Sequence, residues 1–136
     1  MRFAPLLATL LAVTPVAAQE TEYDPEGAVL CSYAITTAML EMQRQCRPDA
    51  AALATVLDAS LSQHREFVRR NSDLTDNELS DFERHQGRDN ARTCEELAAE
   101  GWLGFLSSIE ADVAGYEDAI SQLLERDRVP VWNPCL

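Results

Sequence analysis

Hydrophobic residues recur at every third or fourth position in four stretches of the chain, a spacing typical of amphipathic helices. In the first stretch, residues 25–45, apolar side chains occupy most faces, so we expect a helix that is surrounded by others. Asp24 and Pro25 predict its start, as an N-cap followed by proline in the first turn. Its expected inward stripe is Cys31, Ile35, Ala38, Met39, Met42 and Cys46.

The second helix is predicted over residues 49–71, directly after Pro48, because proline is tolerated only in the first turn of a helix. The expected inward positions are Leu53, Val56, Leu57, Ser60, Leu61, His64, Phe67 and Val68.

The third helix has the clearest local start signal in the chain. Thr75 and Glu78 form the pattern of a capping box, in which each residue bonds the backbone N–H of the other. The helical pattern then continues to about Ala98. Gly87 lies in its middle, and a glycine at such a position marks a point where the helix can kink or break.

A second cap pair, Ser107 with Glu110, predicts the start of the fourth helix, which ends near Arg126. Residues 129–136 contain two prolines and are expected to form an extended tail. No stretch shows the alternation of a strand. The predicted fold is therefore all-α: a small up-and-down four-helix bundle stapled by two disulfides, with an extended C-terminal tail.

The first eighteen residues are predicted to be a signal peptide rather than part of the fold. A positive start at Arg2 is followed by an apolar run over residues 6–13 and by small residues that end at Ala18. We expect cleavage after Ala18 and a periplasmic or secreted mature chain. Residues 19–24 are then a flexible N-terminus, and residues 25–136 form a single helical domain.

Four cysteines in an exported chain favour two disulfides over a metal site. Fifteen residues of helix, about 22 Å, separate Cys31 from Cys46, and a disulfide needs α-carbons within about 7 Å. In an up-and-down bundle, Cys94 returns to the level of Cys46, and the tail brings Cys135 to the level of Cys31. The predicted pairs are Cys46–Cys94 and Cys31–Cys135.

The chain is strongly acidic, with 23 carboxylate residues against 11 basic ones and a formal net charge of −12. Such a charge argues against nucleic acid and against anionic membrane surfaces as partners. It is compatible with a partner protein that has a basic surface.

His64 is the first candidate for chemistry because it lies on an apolar stripe. Together with Ser60, Gln86 and Asn90 it is expected to form a polar layer inside the bundle. Such a layer is either a small-ligand pocket or a protonation switch between pH 5 and 8. The alternative is a hydrogen-bonded core histidine with no further role, which is the commoner use of such a residue.

The second candidate is a row of arginines on the predicted third helix. These residues follow one another at a spacing of four: Arg84, Arg88 and Arg92. Such a row can bind a carboxylate or phosphate, or it can pair with neighbouring acidic residues, which we favour here. Met39 and Met42 with His64 would suit copper(I), but methionine at helical spacing is usually core filler, and no cofactor is predicted.

No catalytic motif is present: there is no glycine-rich phosphate loop, no Gly-x-Ser-x-Gly and no His-Glu-x-x-His. The sequence therefore predicts a non-catalytic protein-binding or accessory module. Two alternatives stay open: a periplasmic chaperone active under acid stress, and a small-ligand binder that uses the layer around His64.

Overall fold

The computed structural model describes residues 22–135, and this part of the chain is helical throughout its regular structure. Its six α-helices are α1 (Val29–Cys46), α2 (Ala51–Asn71), α3 (Asp76–Gln86), α4 (Cys94–Ala99), α5 (Trp102–Ala111) and α6 (Val113–Leu123). A single 3₁₀ turn, Arg88–Asn90, lies between α3 and α4. The prediction of an all-α fold is confirmed, with six α-helices in place of four. The predicted signal peptide lies outside the described residues.

Helix α1 is the centre of the fold, in contact with α2, α3 and α4. Within α1 only Arg44 and Gln45 are exposed, as expected for a helix with apolar residues on most faces. The predicted stripe was largely wrong: Cys31 and Met39 are buried, whereas its other members are only partly buried, namely Ile35, Ala38, Met42 and Cys46. The buried residues of α1 are Val29, Cys31, Tyr33, Ala34, Thr36, Thr37, Met39, Leu40 and Gln43.

Helix α2 packs along α1, and its predicted stripe is confirmed. Its buried positions are Leu53, Val56, Leu57, Ser60, His64, Phe67 and Val68. Two apolar clusters fill the space between the helices. One surrounds Leu57 and Leu106, and the other surrounds Tyr33 and Phe67. Both clusters draw on α1 and α2, so this helix pair supplies much of the core.

The predicted start of the first helix was wrong by four residues. Asp24 is not its N-cap: the carboxylate accepts the backbone N–H of Glu26 and pairs with Arg128. The chain then passes through Gly27, whose φ of +115° favours glycine, before the helix begins at Val29. A local turn and a long-range ion pair therefore use the carboxylate that the sequence assigned to a helix cap.

The third predicted helix is broken where Gly87 suggested. Thr75 and Glu78 form the predicted capping box of α3, which ends at Gln86. After the 3₁₀ turn, a second capping box, Thr93 with Glu96, starts α4. Each box satisfies backbone N–H groups that have no partner within their helix, so two separate starts replace one continuous helix.

The fourth predicted helix is divided as well, and its predicted cap was wrong. Ser107 and Glu110 lie within α5, where Arg47 donates hydrogen bonds to both, at 2.8 and 2.6 Å. Gly101, with φ of +86°, separates α4 from α5. Asp112 separates α5 from α6 and caps α6 by accepting the backbone N–H of Gly115.

Both predicted disulfides are confirmed. The α-carbons of Cys46 and Cys94 are 5.5 Å apart, and those of Cys31 and Cys135 are 5.4 Å apart. The first bridge joins the end of α1 to the start of α4. The second joins the first turns of α1 to the tail, where Val131 is buried and its carbonyl accepts the N–H of Leu30.

Candidate functional site

A large cavity opens between α1, α5 and α6, and we call it the α1–α5–α6 cavity. Its volume is about 1020 Å³. Apolar side chains form most of its wall: Ile35, Met39, Trp102, Phe105, Ile120 and Leu123. Its size and lining match those of small-molecule sites, which are mostly apolar clefts of about 300–1,000 Å³.

Two aromatic rings stand on the α5 side of the cavity. Trp102 and Phe105 meet edge to face, with ring centroids 6.2 Å apart. Phe105 is 46% exposed, so a large part of its ring has no protein neighbour. Because Gly101 ends the preceding helix, α5 begins at Trp102 and places both rings in its first turn.

Three hydroxyl groups interrupt the apolar wall: those of Ser32, Thr36 and Tyr116. The Tyr116 hydroxyl lies 3.2 Å from Thr36 Oγ1 and 3.2 Å from Ser60 Oγ. Ser32 and Thr36 are four residues apart on α1 and therefore share one face of that helix. The cavity thus combines an apolar wall with one polar strip.

His64 lies directly behind this polar strip and is fully buried. Its Nδ1 is 2.7 Å from the backbone oxygen of Ser60, and its Nε2 is 2.8 Å from Ser32 Oγ. The Tyr33 ring stacks beside it at a centroid distance of 5.9 Å. Burial lowers the pKa of His64 and outweighs the opposing effect of the hydrogen bond to Ser60, so the imidazole is neutral near pH 7.

Charged residues also line the cavity, and most of them are acidic. The carboxylates belong to Glu26, Glu100 and Glu125, and the one cation is Arg126. Arg126 pairs with Glu26, and Arg92 pairs with Glu100 at 2.5 Å. Within the described residues no ion pair of Glu125 is found.

The predicted polar layer is only partly assembled. Ser60 and His64 are together, but the hydrogen bonds of His64 go to Ser32 and Ser60 rather than to Gln86 or Asn90. Gln86 and Asn90 lie instead at a smaller cavity of about 480 Å³ between α1, the 3₁₀ turn and the tail. Asn90 is engaged there with the backbone oxygen of His85.

The three arginines do not form one row, because α3 ends before two of them. Arg84 lies on α3 and pairs with Asp81 at 2.9 Å. Arg88 is exposed in the 3₁₀ turn, and Arg92 lies between that turn and α4. The three arginines are therefore separated because the helix ends at Gln86, and not because their side chains point in different directions on one helix.

A second polar network, which joins α1, α2 and α3, was not predicted. The Tyr33 hydroxyl donates to Glu83 Oε1 at 2.5 Å, and Arg65 donates to the same oxygen at 2.9 Å. Burial, followed by the neighbouring Glu83 carboxylate, raises the pKa of Tyr33 far above its usual value. The phenol therefore stays protonated and serves as a donor that joins α1 to α3.

The cavity residues Ser32, Thr36, Trp102, Phe105 and Tyr116 were not singled out from the sequence either. One signal was available: Ser32 and Thr36 place two hydroxyls at a spacing of four within an uncharged stretch, residues 29–40, of α1. The two aromatic rings gave no such signal, because aromatic residues at helical spacing usually pack into a core.

Within residues 22–135, no helix is long and apolar enough to cross a membrane. No group of three or more His, Cys, Asp or Glu side chains in the same range lies close enough together to hold a metal ion.

Comparison with known proteins gave no significant match to a family model, to a curated protein or to a solved structure. The residues and geometry of the cavity are therefore the basis for a functional proposal.

Proposed function

We propose that this protein is a non-catalytic binding protein and that its binding site is the α1–α5–α6 cavity. The observation that carries the proposal is an open cavity of about 1020 Å³ whose apolar wall contains one strip of hydroxyl groups. Apolar area supplies the affinity of such sites, and a few polar groups fix the orientation of the ligand. Burial of the exposed part of Phe105 would supply part of that affinity.

The proposed compartment is the periplasm or the extracellular space. Two disulfides support an oxidising compartment. The signal-peptide pattern of residues 1–18 supports export, with cleavage after Ala18.

We also propose an up-and-down arrangement of four helical layers, in which α3 with α4, and α5 with α6, each replace one predicted helix. The contacts of α1 with α2 and α3, and of α2 with α5 and α6, support it.

The proposal can be tested with N-phenyl-1-naphthylamine, a neutral aromatic probe that fluoresces in apolar surroundings. The oxidised chain should bind it saturably, with one site per molecule and a raised melting temperature. Absence of any fluorescence increase would contradict the proposal.

A matched pair of variants on α6 gives the control. Ala119 lines the cavity, whereas Ala114 is exposed on the same helix and lines none of the cavities described above. We expect Ala119→Trp to fill the cavity and weaken probe binding at least about tenfold, equivalent to 1.4 kcal/mol. Ala114→Trp should bind like the unaltered chain. Equal binding by both variants would place the probe elsewhere.

The net charge favours a second candidate, a protein-binding accessory module. A formal charge of −12 would attract a partner with a basic surface, and that association would weaken as salt is added. Capture of basic proteins from a periplasmic extract at low salt, with release at high salt, would support this function. Capture that salt does not change would count against it.

A further inference from the structure

The hydrogen bonds of His64 determine which of its ring nitrogens carries the proton. Nδ1 lies 2.7 Å from the backbone oxygen of Ser60, and a carbonyl oxygen can only accept. Nδ1 must therefore carry hydrogen. In a neutral imidazole the other nitrogen, Nε2, then has none and can only accept. The backbone of α2 thus fixes the tautomer of this buried ring.

The tautomer in turn fixes the role of Ser32. Its Oγ is 2.8 Å from Nε2, so the hydroxyl hydrogen of Ser32 is donated to His64. A hydroxyl has one hydrogen and two acceptor lone pairs. Toward the α1–α5–α6 cavity, which Ser32 lines, this side chain therefore offers lone pairs alone. A ligand atom that meets Ser32 has to be a hydrogen-bond donor.

Charge narrows the choice of ligand further. Three carboxylates and one guanidinium line the same cavity, and the chain as a whole has a net charge of −12. An anionic head group would therefore enter an unfavourable potential. It would also bring only acceptors to a hydroxyl that has only lone pairs to offer. Both arguments disfavour carboxylate and phosphate head groups.

We infer that the cavity binds amphiphiles with an apolar body and an uncharged or cationic head that donates a hydrogen bond, that is, alcohols and amines. This inference rests on the proposed function and names its ligand class. The apolar body lies along Ile35, Met39 and Phe105, and the head contacts Ser32 Oγ. His64 accepts the only hydrogen bond that the Ser32 hydroxyl can donate, so that Ser32 can only accept a hydrogen bond from a ligand. His64 is therefore a positioning residue that selects the ligand without touching it.

The test compares four probes with matched chains: 1-octanol, octylamine, 2-nonanone and octanoate, each displacing N-phenyl-1-naphthylamine at pH 7.5. Octanol and the ketone are both neutral and differ in that only octanol donates a hydrogen bond. We expect octanol and octylamine to bind at least about tenfold tighter than the ketone or octanoate, since an unmatched polar pair is strongly disfavoured in a desolvated site.

Variants of two serines connect this preference to Ser32. Ser32→Ala should lose the preference for octanol over 2-nonanone while still binding both. Ser62→Ala is the control, because Ser62 is exposed and its hydroxyl donates within α2 to the Asp58 backbone. If Ser32→Ala fails to fold, the comparison of the four probes on the unaltered chain still decides the matter.

The outcomes separate the two proposals. If none of the four probes and no N-phenyl-1-naphthylamine binds, the proposed function is overturned, and this inference with it. If the probes bind but the ketone or octanoate matches octanol, the inference is overturned and the proposed function stands.

Discussion

The α1–α2 pair and the α3–α6 segment solve the same problem, burying apolar residues on helices, in different ways. Helices α1 and α2 run without interruption for 18 and 21 residues and supply much of the core. The α3–α6 segment consists of helices of 6 to 11 residues, separated by Gly87, Gly101 and Asp112. Breaks in the second region leave aromatic side chains partly uncovered, and these line the cavity. Helix α1 contributes hydroxyl groups to the proposed binding site, and the interrupted helices contribute its partly exposed aromatic side chains.

Replacement of one phenylalanine in each region should give the largest contrast. Phe67 on α2 is 1% exposed, and Phe67→Ala should lower the free energy of unfolding by about 3–5 kcal/mol. Phe105 on α5 is 46% exposed, and Phe105→Ala should cost about 1 kcal/mol or less. Urea unfolding measures both. Similar losses would mean that the two regions are equally well packed.

The Cys46–Cys94 disulfide connects the two regions, and the Cys31–Cys135 disulfide joins α1 to the tail beyond α6. Removal of either disulfide should have the next largest effect. Replacing either pair by alanine should cost about 2–4 kcal/mol. The Cys31–Cys135 bridge spans 104 residues and the Cys46–Cys94 bridge spans 48, so on chain entropy alone the former should stabilise by about 0.7 kcal/mol more. Urea unfolding of the two double variants checks the order. Peptide mapping without reduction would reveal any other pairing.

Acid should weaken the packing of α2 against α1 through His64, whose hydrogen-bond partners are Ser60 and Ser32. Its pKa is lowered in the folded chain, so below about pH 6.5 the unfolded chain takes up a proton that the folded chain does not. Stability is therefore complete above that pH and falls as the pH drops toward the folded pKa. Asp24 acts in the same direction at lower pH. Burial raises the pKa of Asp24, but hydrogen bonds from Arg128 and from the Glu26 N–H outweigh burial and lower it.

Replacement of each of the two histidines by glutamine tests whether His64 causes this pH dependence, with His85 as the control. The free energy of unfolding between pH 5 and 8 should lose most of its pH dependence in His64→Gln. It should keep that dependence in His85→Gln, because His85 is exposed. An unchanged slope in His64→Gln would rule out the buried ring as the cause.

A steep loss of stability in acid would leave the acid-stress chaperone hypothesis open. Suppression of a client protein's aggregation near pH 3 would then test that hypothesis directly.

Two glycines should respond in opposite directions, with the smallest effects. Gly27 has φ of +115°, and an added Cβ would lie 2.6 Å from Leu123 Cδ1, so Gly27→Ala should cost about 1–2 kcal/mol. Gly104 lies inside α5 with no atom within 4 Å of an added Cβ, so Gly104→Ala should stabilise by about 0.5–1 kcal/mol. Thermal unfolding of both variants checks the signs.

The α1–α2 pair could be predicted from the sequence largely because its pattern is long. A seam repeated over about four turns, as from Leu53 to Val68, defines one buried face whatever the neighbours are. The disulfide pairing followed from helical rise combined with the assumed up-and-down order of the helices, which together placed Cys94 near Cys46 and Cys135 near Cys31.

The breaks in the α3–α6 segment were harder to predict, for specific reasons. Apolar spacing continues across Asp112, from Ile109 to Val113 and Tyr116, so periodicity gave no sign that the helix ends there. Ser107 and Glu110 match the spacing of a cap pair, but Arg47 from another element engages both. One break did have a signal in the sequence that was missed, namely the second capping box, Thr93 with Glu96.

The cavity itself was beyond reach of the sequence. Its existence depends on how far α5 lies from α1, and no helical pattern encodes that distance. His64 was singled out correctly as buried and polar. Its partner Ser32 was not, because the predicted partners were taken from a third helix that the structure breaks before Asn90.

The Cys31–Cys135 bridge also has a topological consequence. With a sequence separation of 104 between its cysteines, it closes most of the described chain into a covalent ring. A single proteolytic cut anywhere between those cysteines opens the ring without releasing a fragment. The two parts of the cut chain therefore stay covalently linked until the disulfide is reduced.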